Sequence, residues 1–384
     1  MNKSVLKKLI AIVFASVLLV LTSHDHSLAK WAPVNSGTTR DLLGIWGSAD
    51  SDVFAVGDCG TILHYDGTEW SSIDSGTTEH LRDIWGTSDS DVFIVGYKGT
   101  ILHYDGSSWS SINSGVTCDF YDIWGSSETD VFAVGSSGTI LHYDGTEWSQ
   151  MDSGTEYDLC GIWGSSESDA FASGCCGTIL HYDGLSWSPM SSGTDYVICD
   201  LWGSSGSNVF AVSKGGLILY YDGTNWSYTR VFPLPILGLY AIWGTSGADI
   251  FAVGSYSTIF HYDESTWSLN NFTHPFDNDL YAVWGTSSSN VFAVGECGTI
   301  LKYDGEPQSC PAVYLLGEED QRLDTLRKFR DEVLAKSSVT SGLITLYYNY
   351  GNQLIALLDS SPTFKIILRK ILEIVVPKDK GTYL

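Results

Sequence analysis

Apolar and polar positions recur along this chain in short blocks, with a period close to forty residues. Within residues 81–115, the segments LRDIWG, DVFIVG, GTILHYDG and SWSSINSG are each rich in β-branched and aromatic residues. Gly, Asp and Ser residues separate the segments. Four short runs divided by turn signals predict a meander of four strands, named a to d here, with an Asp-Gly turn between strands c and d.

The strand b segment is apolar on both of its faces, as the run Val92, Phe93, Ile94 and Val95 illustrates. A sheet with one face in water would alternate apolar and polar residues, so a continuous apolar run indicates a sheet covered on both sides. Four-stranded sheets stacked against each other around an axis are the blades of a β-propeller.

The 14 tryptophans of the chain fall into two sets that count the blades. One set lies in Ile/Leu/Val-Trp-Gly on strand a, at Trp46, Trp85, Trp124, Trp163, Trp202, Trp243 and Trp284. The other set begins strand d, at Trp31, Trp70, Trp109, Trp148, Trp187, Trp226 and Trp267. Trp31 precedes every strand a, and no Trp follows the last strand c. The sequence therefore predicts an all-β, seven-bladed β-propeller over residues 30–305, closed by its N-terminal strand as strand d of the seventh blade.

These IWG, VFAVG and ILHYDG repeats resemble the kelch-like and Asp-box-like propeller superfamilies. They are most similar to the tryptophan-rich repeats of secreted bacterial propellers, over residues 31–305. The resemblance implies the propeller fold and no particular activity.

Residues 1–29 have the pattern of an export signal. Lys3, Lys7 and Lys8 precede an uncharged apolar run, and Ser27-Leu28-Ala29 predicts cleavage after Ala29. An uncleaved membrane anchor is the alternative, although the apolar run is short for a span. We expect a secreted or cell-surface protein.

The net charge of the propeller limits the classes of partner that it can bind. Residues 30–305 contain 34 Asp and Glu but only 7 Lys and Arg. Such a segment repels phosphate backbones, so we expect no nucleic-acid partner. It suits basic partners or cations.

Residues 306–384 change in character, because Trp disappears and Leu, Lys and Arg take helical spacing. Leu323, Leu326, Phe329 and Val333 share one face, and the segment predicts a small α-helical module. The stretches LRKFRD (326–331) and LYYNY (346–350) resemble the CFI-box C-terminal domain of secreted bacterial proteins. That resemblance implies sorting or association with the cell envelope.

Residues that recur in every blade favour a structural role over a catalytic one. His64-Tyr65-Asp66 looks like catalytic material, but the His recurs in five blades and the Tyr and Asp in all seven. Each c–d turn has one Asp, the first being Asp66 and the seventh Asp304, and an Asp or Asn precedes each strand b. We expect both sets to be turn residues on the same face of the propeller, called the lower face here. Ca²⁺ binding by this carboxylate-rich face is the alternative to solvated turns, and no other cofactor is expected.

The opposite, upper face carries the b–c turns and the d–a connections, where the repeats diverge. Aromatic residues interspersed with Asp are typical of surfaces that stack on sugar rings or bind a peptide. We therefore expect a non-catalytic recognition scaffold that binds a glycan or protein there. The candidate ligand-binding residues are Tyr97, Phe120, Tyr121, Tyr157, Tyr196, Tyr256 and Tyr281. A purely structural display or spacer propeller is the second interpretation.

A sialidase-like glycoside hydrolase is the third interpretation, and it requires a cluster of arginines. The propeller has only Arg40, Arg82 and Arg230, which share no motif, so no catalytic residue is assigned.

Four cysteines on the upper face of the fourth and fifth blades are close enough in the repeat to pair. We predict at least one disulfide among Cys160, Cys175, Cys176 and Cys199, because export exposes them to an oxidising space. A zinc site is disfavoured because no His partner is evident.

Overall fold

The computed structural model of the protein describes residues 31–231, 237–263, 266–270 and 278–303. All of these residues belong to one compact unit, Trp31–Asp304. Over this part of the chain there is no α-helix, and hence none that could cross a membrane. The predicted export signal (1–29) and the predicted helical module (306–384) lie outside the described residues.

Twenty-eight strands form seven four-stranded antiparallel sheets, which confirms the predicted seven blades. Blade 1 is β2 (Leu42–Ala49), β3 (Asp52–Gly57), β4 (Thr61–Tyr65) and β5 (Trp70–Asp74). Blade 2 is β6 (Leu81–Ser88), β7 (Asp91–Gly96), β8 (Thr100–Tyr104) and β9 (Trp109–Asn113). Blade 3 is β10 (Phe120–Ser127), β11 (Asp130–Gly135), β12 (Ile140–Tyr143) and β13 (Trp148–Met151). Blade 4 is β14 (Leu159–Ser166), β15 (Asp169–Gly174), β16 (Thr178–Tyr182) and β17 (Trp187–Ser191).

The remaining blades follow the same order. Blade 5 is β18 (Ile198–Ser205), β19 (Asn208–Ser213), β20 (Leu217–Tyr221) and β21 (Trp226–Arg230). Blade 6 is β22 (Leu239–Ser246), β23 (Asp249–Gly254), β24 (Ile259–Tyr262) and β25 (Trp267–Asn270). Blade 7 is β26 (Leu280–Ser287), β27 (Asn290–Gly295), β28 (Ile300–Tyr303) and β1 (Trp31–Val34).

The ring closes through β1, which pairs antiparallel with β28. The register joins Trp31 to Tyr303 and Val34 to Ile300. The N-terminal strand is therefore the outer strand of blade 7, as predicted, and it covers the edge that β28 would otherwise leave unpaired.

The Trp-Gly pair of strand a packs each blade on the next. A Cβ added to Gly86 would lie 2.9 Å from the indole of Trp46, and one added to Gly125 would lie 2.6 Å from the indole of Trp85. The same contact closes the ring, since a Cβ on Gly47 would lie 2.7 Å from Trp284. The tryptophan of one blade thus fills the space that glycine leaves on the following blade.

Strand b contributes a continuous run of side chains to the core between blades. Val92, Phe93, Ile94 and Val95 are all buried from solvent, with exposures of 0–1%. Burial of each such side chain stabilises the fold by about 1.5–3 kcal/mol. Continuous apolar character in strand b therefore does correspond to burial on both faces.

The repeated histidines of the lower face bond to the repeated Asx before strand b. In blade 2, His103 Nε2 and Asp91 Oδ1 lie 2.7 Å apart, and the Thr87 hydroxyl donates to Asp91 Oδ2 at 2.7 Å. His103 also stacks on Phe93, with ring centroids 4.3 Å apart. Five blades repeat the His–Asp pair. Its recurrence and its packing support the structural role expected for these residues.

The c–d turns are built on the Asp of Tyr-Asp-Gly. Asp105 Oδ1 accepts hydrogen bonds from the backbone amides of Ser107 and Ser108 and from the Ser107 hydroxyl. The Ser107 hydroxyl and the two amides lower the pKa of Asp105 to about 2. A Cβ on Gly106, whose φ is +85°, would lie 2.7 Å from Ser90 Cβ in the a–b turn. The two kinds of turn therefore share the lower face. Asp304, the seventh turn residue, lies outside the described residues.

Candidate functional site

The seven strands a surround a central cavity of about 790 Å³, the funnel, which reaches residues of the upper face. Two successive positions of the strands a supply much of its wall. The outer position, the rim ring, holds Leu43, Arg82, Tyr121, Cys160, Cys199, Tyr240 and Tyr281. The next position, the inner ring, holds Gly44, Asp83, Asp122, Gly161, Asp200, Ala241 and Ala282. These two rings differ from blade to blade, although the adjoining Trp-Gly pair is constant.

A β-bulge in strand a places both rings on the funnel. The pairing of β6 with β7 runs from Leu81–Gly96 to Asp83–Val95, so Arg82 is an extra residue without a partner. Regular alternation would direct Arg82 and Asp83 to opposite faces, whereas both line the funnel. All seven blades have the same shift of register.

Three carboxyl groups of the inner ring, those of Asp83, Asp122 and Asp200, lie half-buried in the wall of the funnel. Burial raises the pKa values of Asp83, Asp122 and Asp200, that of Asp200 to about 7. The side chains of Asp83 and Asp122 hydrogen-bond to each other, and the charge of Asp83 raises the pKa of Asp122 further. A direct bond between two carboxyl groups requires a proton between them.

Each inner-ring carboxyl also joins its blade to the next blade. The Ile123 amide donates to Asp83 Oδ2 at 3.2 Å, and the Ile162 amide donates to Asp122 Oδ2 at 2.6 Å. The Ile242 amide donates to Asp200 Oδ2 at 2.8 Å. These bonds satisfy backbone amides at the bulge, so the three aspartates have a structural role as well as a place in the funnel wall.

Glycine fills the inner ring where the neighbouring strand approaches closely. A Cβ on Gly44 would lie 2.8 Å from the Cα of Asp83, and one on Gly161 would lie 2.9 Å from the Cα of Asp200. A side chain at either position would displace the adjacent strand.

One sector of the rim holds a cation between two tyrosines. The guanidinium carbon of Arg82 lies 5.8 Å from the ring centroid of Tyr121 and 5.9 Å from that of Tyr97. These are cation–π distances. Burial and the charges of Asp158 and Asp119 raise the pKa of Tyr121 to about 12, so its ring remains neutral.

Another sector pairs two tyrosines with carboxylates. The rings of Tyr240 and Tyr281 lie 5.9 Å apart, and the Tyr240 hydroxyl donates to Asp279 Oδ2 at 3.3 Å. Burial, followed by the charges of Asp279, Asp41 and Glu296, raises the pKa of Tyr281 to about 12.

Aspartates of the d–a connections fix the b–c turns of the preceding blade. In six of the seven b–c turns the middle residue has a left-handed conformation, as at Tyr256 with φ +55°, and in four of these six an Asp side chain accepts from its amide. The Tyr256 amide donates to Asp279 Oδ1 at 2.9 Å, and the Cys297 amide donates to Asp41 Oδ1 at 2.8 Å. Left-handed backbone at residues other than glycine costs on the order of 1 kcal/mol, and these bonds offset part of that cost. The upper face is therefore held rigidly around the funnel.

The four cysteines predicted to include a disulfide, Cys160, Cys175, Cys176 and Cys199, lie in blades 4 and 5. Burial raises the pKa values of Cys160 and Cys199 to about 12, and the charge of the neighbouring Cys175 raises that of Cys160 further. Cys176 is exposed at the left-handed position of its turn. All seven described cysteines are free thiols, so a disulfide among these four stays a prediction. Within the described residues, no three His, Cys, Asp or Glu side chains are arranged to hold a metal ion.

The candidate aromatic residues divide into three groups. Tyr121 and Tyr281 line the funnel, and Tyr97 lies beside it against Arg82. Tyr157, Tyr196 and Tyr256 are 53%, 37% and 61% exposed on the upper face outside the funnel.

Phe120 was wrongly assigned to the binding face. It is fully buried because it occupies the first position of strand a, where Leu42 and Leu81 are also fully buried. That position is apolar in every blade, which identifies it as core.

Sequence reasoning missed Asp83, Asp122, Asp200, Tyr240 and Lys214 as members of the site. All five line the funnel. The signal for the first four was the variation, from blade to blade, of the two positions before each Ile/Leu/Val-Trp-Gly. This variation indicates a site only when it is known that the bulge turns both positions toward the axis.

Fold and site together define a seven-bladed β-propeller with an open, polar-aromatic funnel. No family profile matches the chain, and no curated protein matches its sequence.

Solved structures do match the fold. YCF48 bound to D1 peptide superposes with a TM-score of 0.62 at 16% identity, covering 75% of this chain and 98% of that one. The WD40 propeller domain of Doa1 gives a TM-score of 0.63 at 15% identity, covering 72% and 97%. A streptogramin B lyase gives 0.63 at 14% identity, covering 71% and 96%. At these identities the likeness shows the fold.

Proposed function

We propose that this protein is a non-catalytic recognition scaffold that binds a protein segment in the funnel of its upper face. The observation that carries the proposal is the convergence of the variable positions. Residues that differ from blade to blade, including Arg82, Tyr121, Tyr240 and Tyr281, line one cavity, while the lower face repeats the same bonds in blade after blade. Rigid walls with aromatic and charged groups bind a ligand at low cost in conformational entropy.

A peptide suits this funnel because one structural neighbour was solved with a peptide bound. A glycan is the second ligand class, favoured by the exposed rings of Tyr157 and Tyr256. A purely structural spacer remains the alternative to any ligand.

Two features support a non-catalytic role. The His–Asp pair recurs in five blades, whereas a catalytic centre is assembled once. The three propeller arginines are also engaged separately: Arg40 donates to the Cys59 carbonyl, Arg230 donates to the Gly215 carbonyl, and Arg82 lies over two tyrosines. They form no shared site for a carboxylate of the kind a sialidase-like hydrolase needs.

We further propose that binding takes place outside the cytoplasm, at the cell surface or in secretion. The export signal predicted from the sequence of residues 1–29 supports this location. The resemblance of residues 306–384 to a sorting module supports association with the envelope.

Peptide and glycan arrays probed with the exported full chain test the proposed function. We expect selective binding that Tyr121→Ala and Tyr281→Ala each weaken. Leu185→Ala is the matched control, because Leu185 is 88% exposed in a c–d turn of the opposite face. Binding that Leu185→Ala weakens as much as the funnel variants do, or no binding on either array, would reject the funnel as a recognition site.

A further inference from the structure

Two sectors of the rim ring share the same plan. In the first sector, Tyr121 of blade 3 lies near two aspartates. Asp119 is two residues before Tyr121 in the sequence, and Asp158 directly precedes strand a of blade 4. Arg82, at the rim position of the preceding blade, lies over the Tyr121 ring at 5.8 Å. This sector therefore consists of a tyrosine, two carboxylates and a cation supplied by the protein itself.

The second sector has the same tyrosine and carboxylates without the arginine. Tyr281 of blade 7 lies near Asp279, two residues earlier, and near Asp41, which enters blade 1. Glu296 adds a third carboxylate. The rim position of the preceding blade, which is arginine in the first sector, is Tyr240 here.

Among the described residues, no lysine or arginine lies over the Tyr240 or Tyr281 ring; the cation–π contacts present involve Tyr97, Tyr121, Tyr196, Tyr65 and Phe292. The propeller segments 232–236, 264–265 and 271–277, which lie outside the described residues, contain no Lys or Arg in their sequence. Among the described residues, therefore, no lysine or arginine takes the place over these two rings that Arg82 has over Tyr121.

The carboxylates are fixed in place by the backbone. Asp41 Oδ1 accepts from the Cys297 amide at 2.8 Å, and Glu296 Oε2 accepts from the Asp279 amide at 3.3 Å. Asp279 Oδ1 accepts from the Tyr256 amide at 2.9 Å. Oriented carboxylates beside neutral aromatic faces attract a cation, whose apolar stem lies along the rings while its charged head reaches the oxygens.

We propose that Tyr240, Tyr281, Asp41, Asp279 and Glu296, the Tyr281 sector, bind the side chain of a lysine or arginine from a basic segment of a partner protein. This inference rests on the proposed function of the funnel and assigns its partner a chemistry. The 34 acidic and 7 basic residues of the propeller would also steer a basic segment toward it.

Fluorescence anisotropy with the full chain tests the charge requirement. The probes are labelled Gly/Ser decapeptides carrying four arginines, four lysines, four acetyl-lysines or four glutamates. We expect the arginine and lysine peptides to bind at least about ten-fold more tightly than the acetyl-lysine peptide, and the glutamate peptide to bind least. Equal binding of the lysine and acetyl-lysine peptides would overturn the proposal.

Three substitutions that change the net charge equally test the location. Glu296→Gln removes a sector carboxylate, and Tyr240→Arg places an internal cation where Arg82 stands in the first sector. Glu69→Gln is the control, on an exposed c–d turn of the opposite face. We expect the first two substitutions to weaken binding of the arginine peptide at least about five-fold, and the control substitution to weaken it less than about two-fold. Equal losses would mean that net charge alone attracts the peptide, which overturns the sector. Retained melting temperature shows that each variant is folded.

The two proposals fail in different ways. If the arrays find neutral or acidic peptides whose binding depends on Tyr121 and Tyr281, the funnel is a recognition site and the cation-binding sector is wrong. If cationic peptides bind and Glu296→Gln or Tyr240→Arg releases them while Glu69→Gln does not, both proposals hold.

Discussion

Trp31 and Tyr303 lie opposite each other in the register of β1 and β28, with their ring centroids 5.3 Å apart. Trp31 also meets Phe251 of blade 6 edge to face at 6.0 Å and is fully buried. The start of the propeller is thus held by hydrogen bonds within blade 7 and by aromatic packing on blade 6.

Deletion of residues 31–36 should lower the melting temperature strongly, because it removes a strand and exposes the edge of β28. Loss of a buried Trp side chain alone costs about 3–5 kcal/mol. Thermal unfolding of the deletion variant measures the effect. Trp148→Ala is the matched control, since it removes the equivalent ring from a blade whose strand d remains. A deletion variant as stable as Trp148→Ala would contradict closure by β1.

The fold was predictable because its signals repeat. Each Trp-Gly pair fits the next blade in the same way, so seven copies of one pattern gave seven chances to identify it. The unpaired Trp31 then decided how the ring closes. The number of blades therefore did not depend on any single element being assigned correctly.

The site was only partly predictable, and the bulge in strand a is the reason. Regular alternation would have placed Arg82 and Asp83 on opposite faces of β6, yet both face the funnel. Phe120 was misplaced for a related reason: its position appeared to belong to a connection, whereas it begins β10 and is buried. A bulge changes which way the residues of a strand face, and the apolar pattern of a repeat does not show where the bulge lies.

Stability should fall as the pH rises through about 7, because of Asp200. Burial raises its pKa from an ordinary value of 3.8 to about 7. A carboxyl with a raised pKa in the folded state contributes stability that is complete below its unfolded pKa and is lost as the pH rises through its folded pKa. Asp200→Asn cannot ionise and keeps an oxygen for the Ile242 amide. We expect this variant to melt at least about 2 °C above the wild type at pH 9 and to have a clearly smaller advantage at pH 5.

Asp105→Asn is the control for this pH dependence. The pKa of Asp105 is lowered to about 2, so its contribution is present above its ordinary pKa of 3.8 and is lost only as the pH falls through about 2. The difference between Asp105→Asn and the wild type should therefore be constant between pH 5 and pH 9. A wild-type stability that does not change between pH 5 and 9, or an Asp200→Asn variant with the wild-type slope, would contradict the role of Asp200.

Cys160 and Cys175 are the pair for which we expect the predicted disulfide, since both line the funnel in blade 4 and interact electrostatically. In the chain-entropy model, a disulfide that closes a loop of about 15 residues raises the free energy of unfolding by about 3 kcal/mol. Non-reducing peptide mapping of exported protein should recover the Cys160–Cys175 peptide pair. Cys160→Ser should lower the melting temperature under oxidising conditions only, whereas Cys176→Ser should not. Free thiols at both positions in protein purified without reductant would reject the pair.

The His–Asp pairs of the lower face should contribute stability and leave binding unchanged. His142 Nε2 and Asp130 Oδ1 lie 2.7 Å apart, and the imidazole stacks on Phe132 with centroids 4.4 Å apart. His142→Ala leaves the half-buried Asp130 without its ring partner, which should cost about 1–3 kcal/mol. Chemical denaturation measures this loss. Blade 5, where the same positions are Tyr220 and Asn208, shows that the fold accepts another pair. His142→Tyr combined with Asp130→Asn should therefore be more stable than either single variant. If His142→Ala instead weakened ligand binding at unchanged stability, the recognition surface would have to include the lower face.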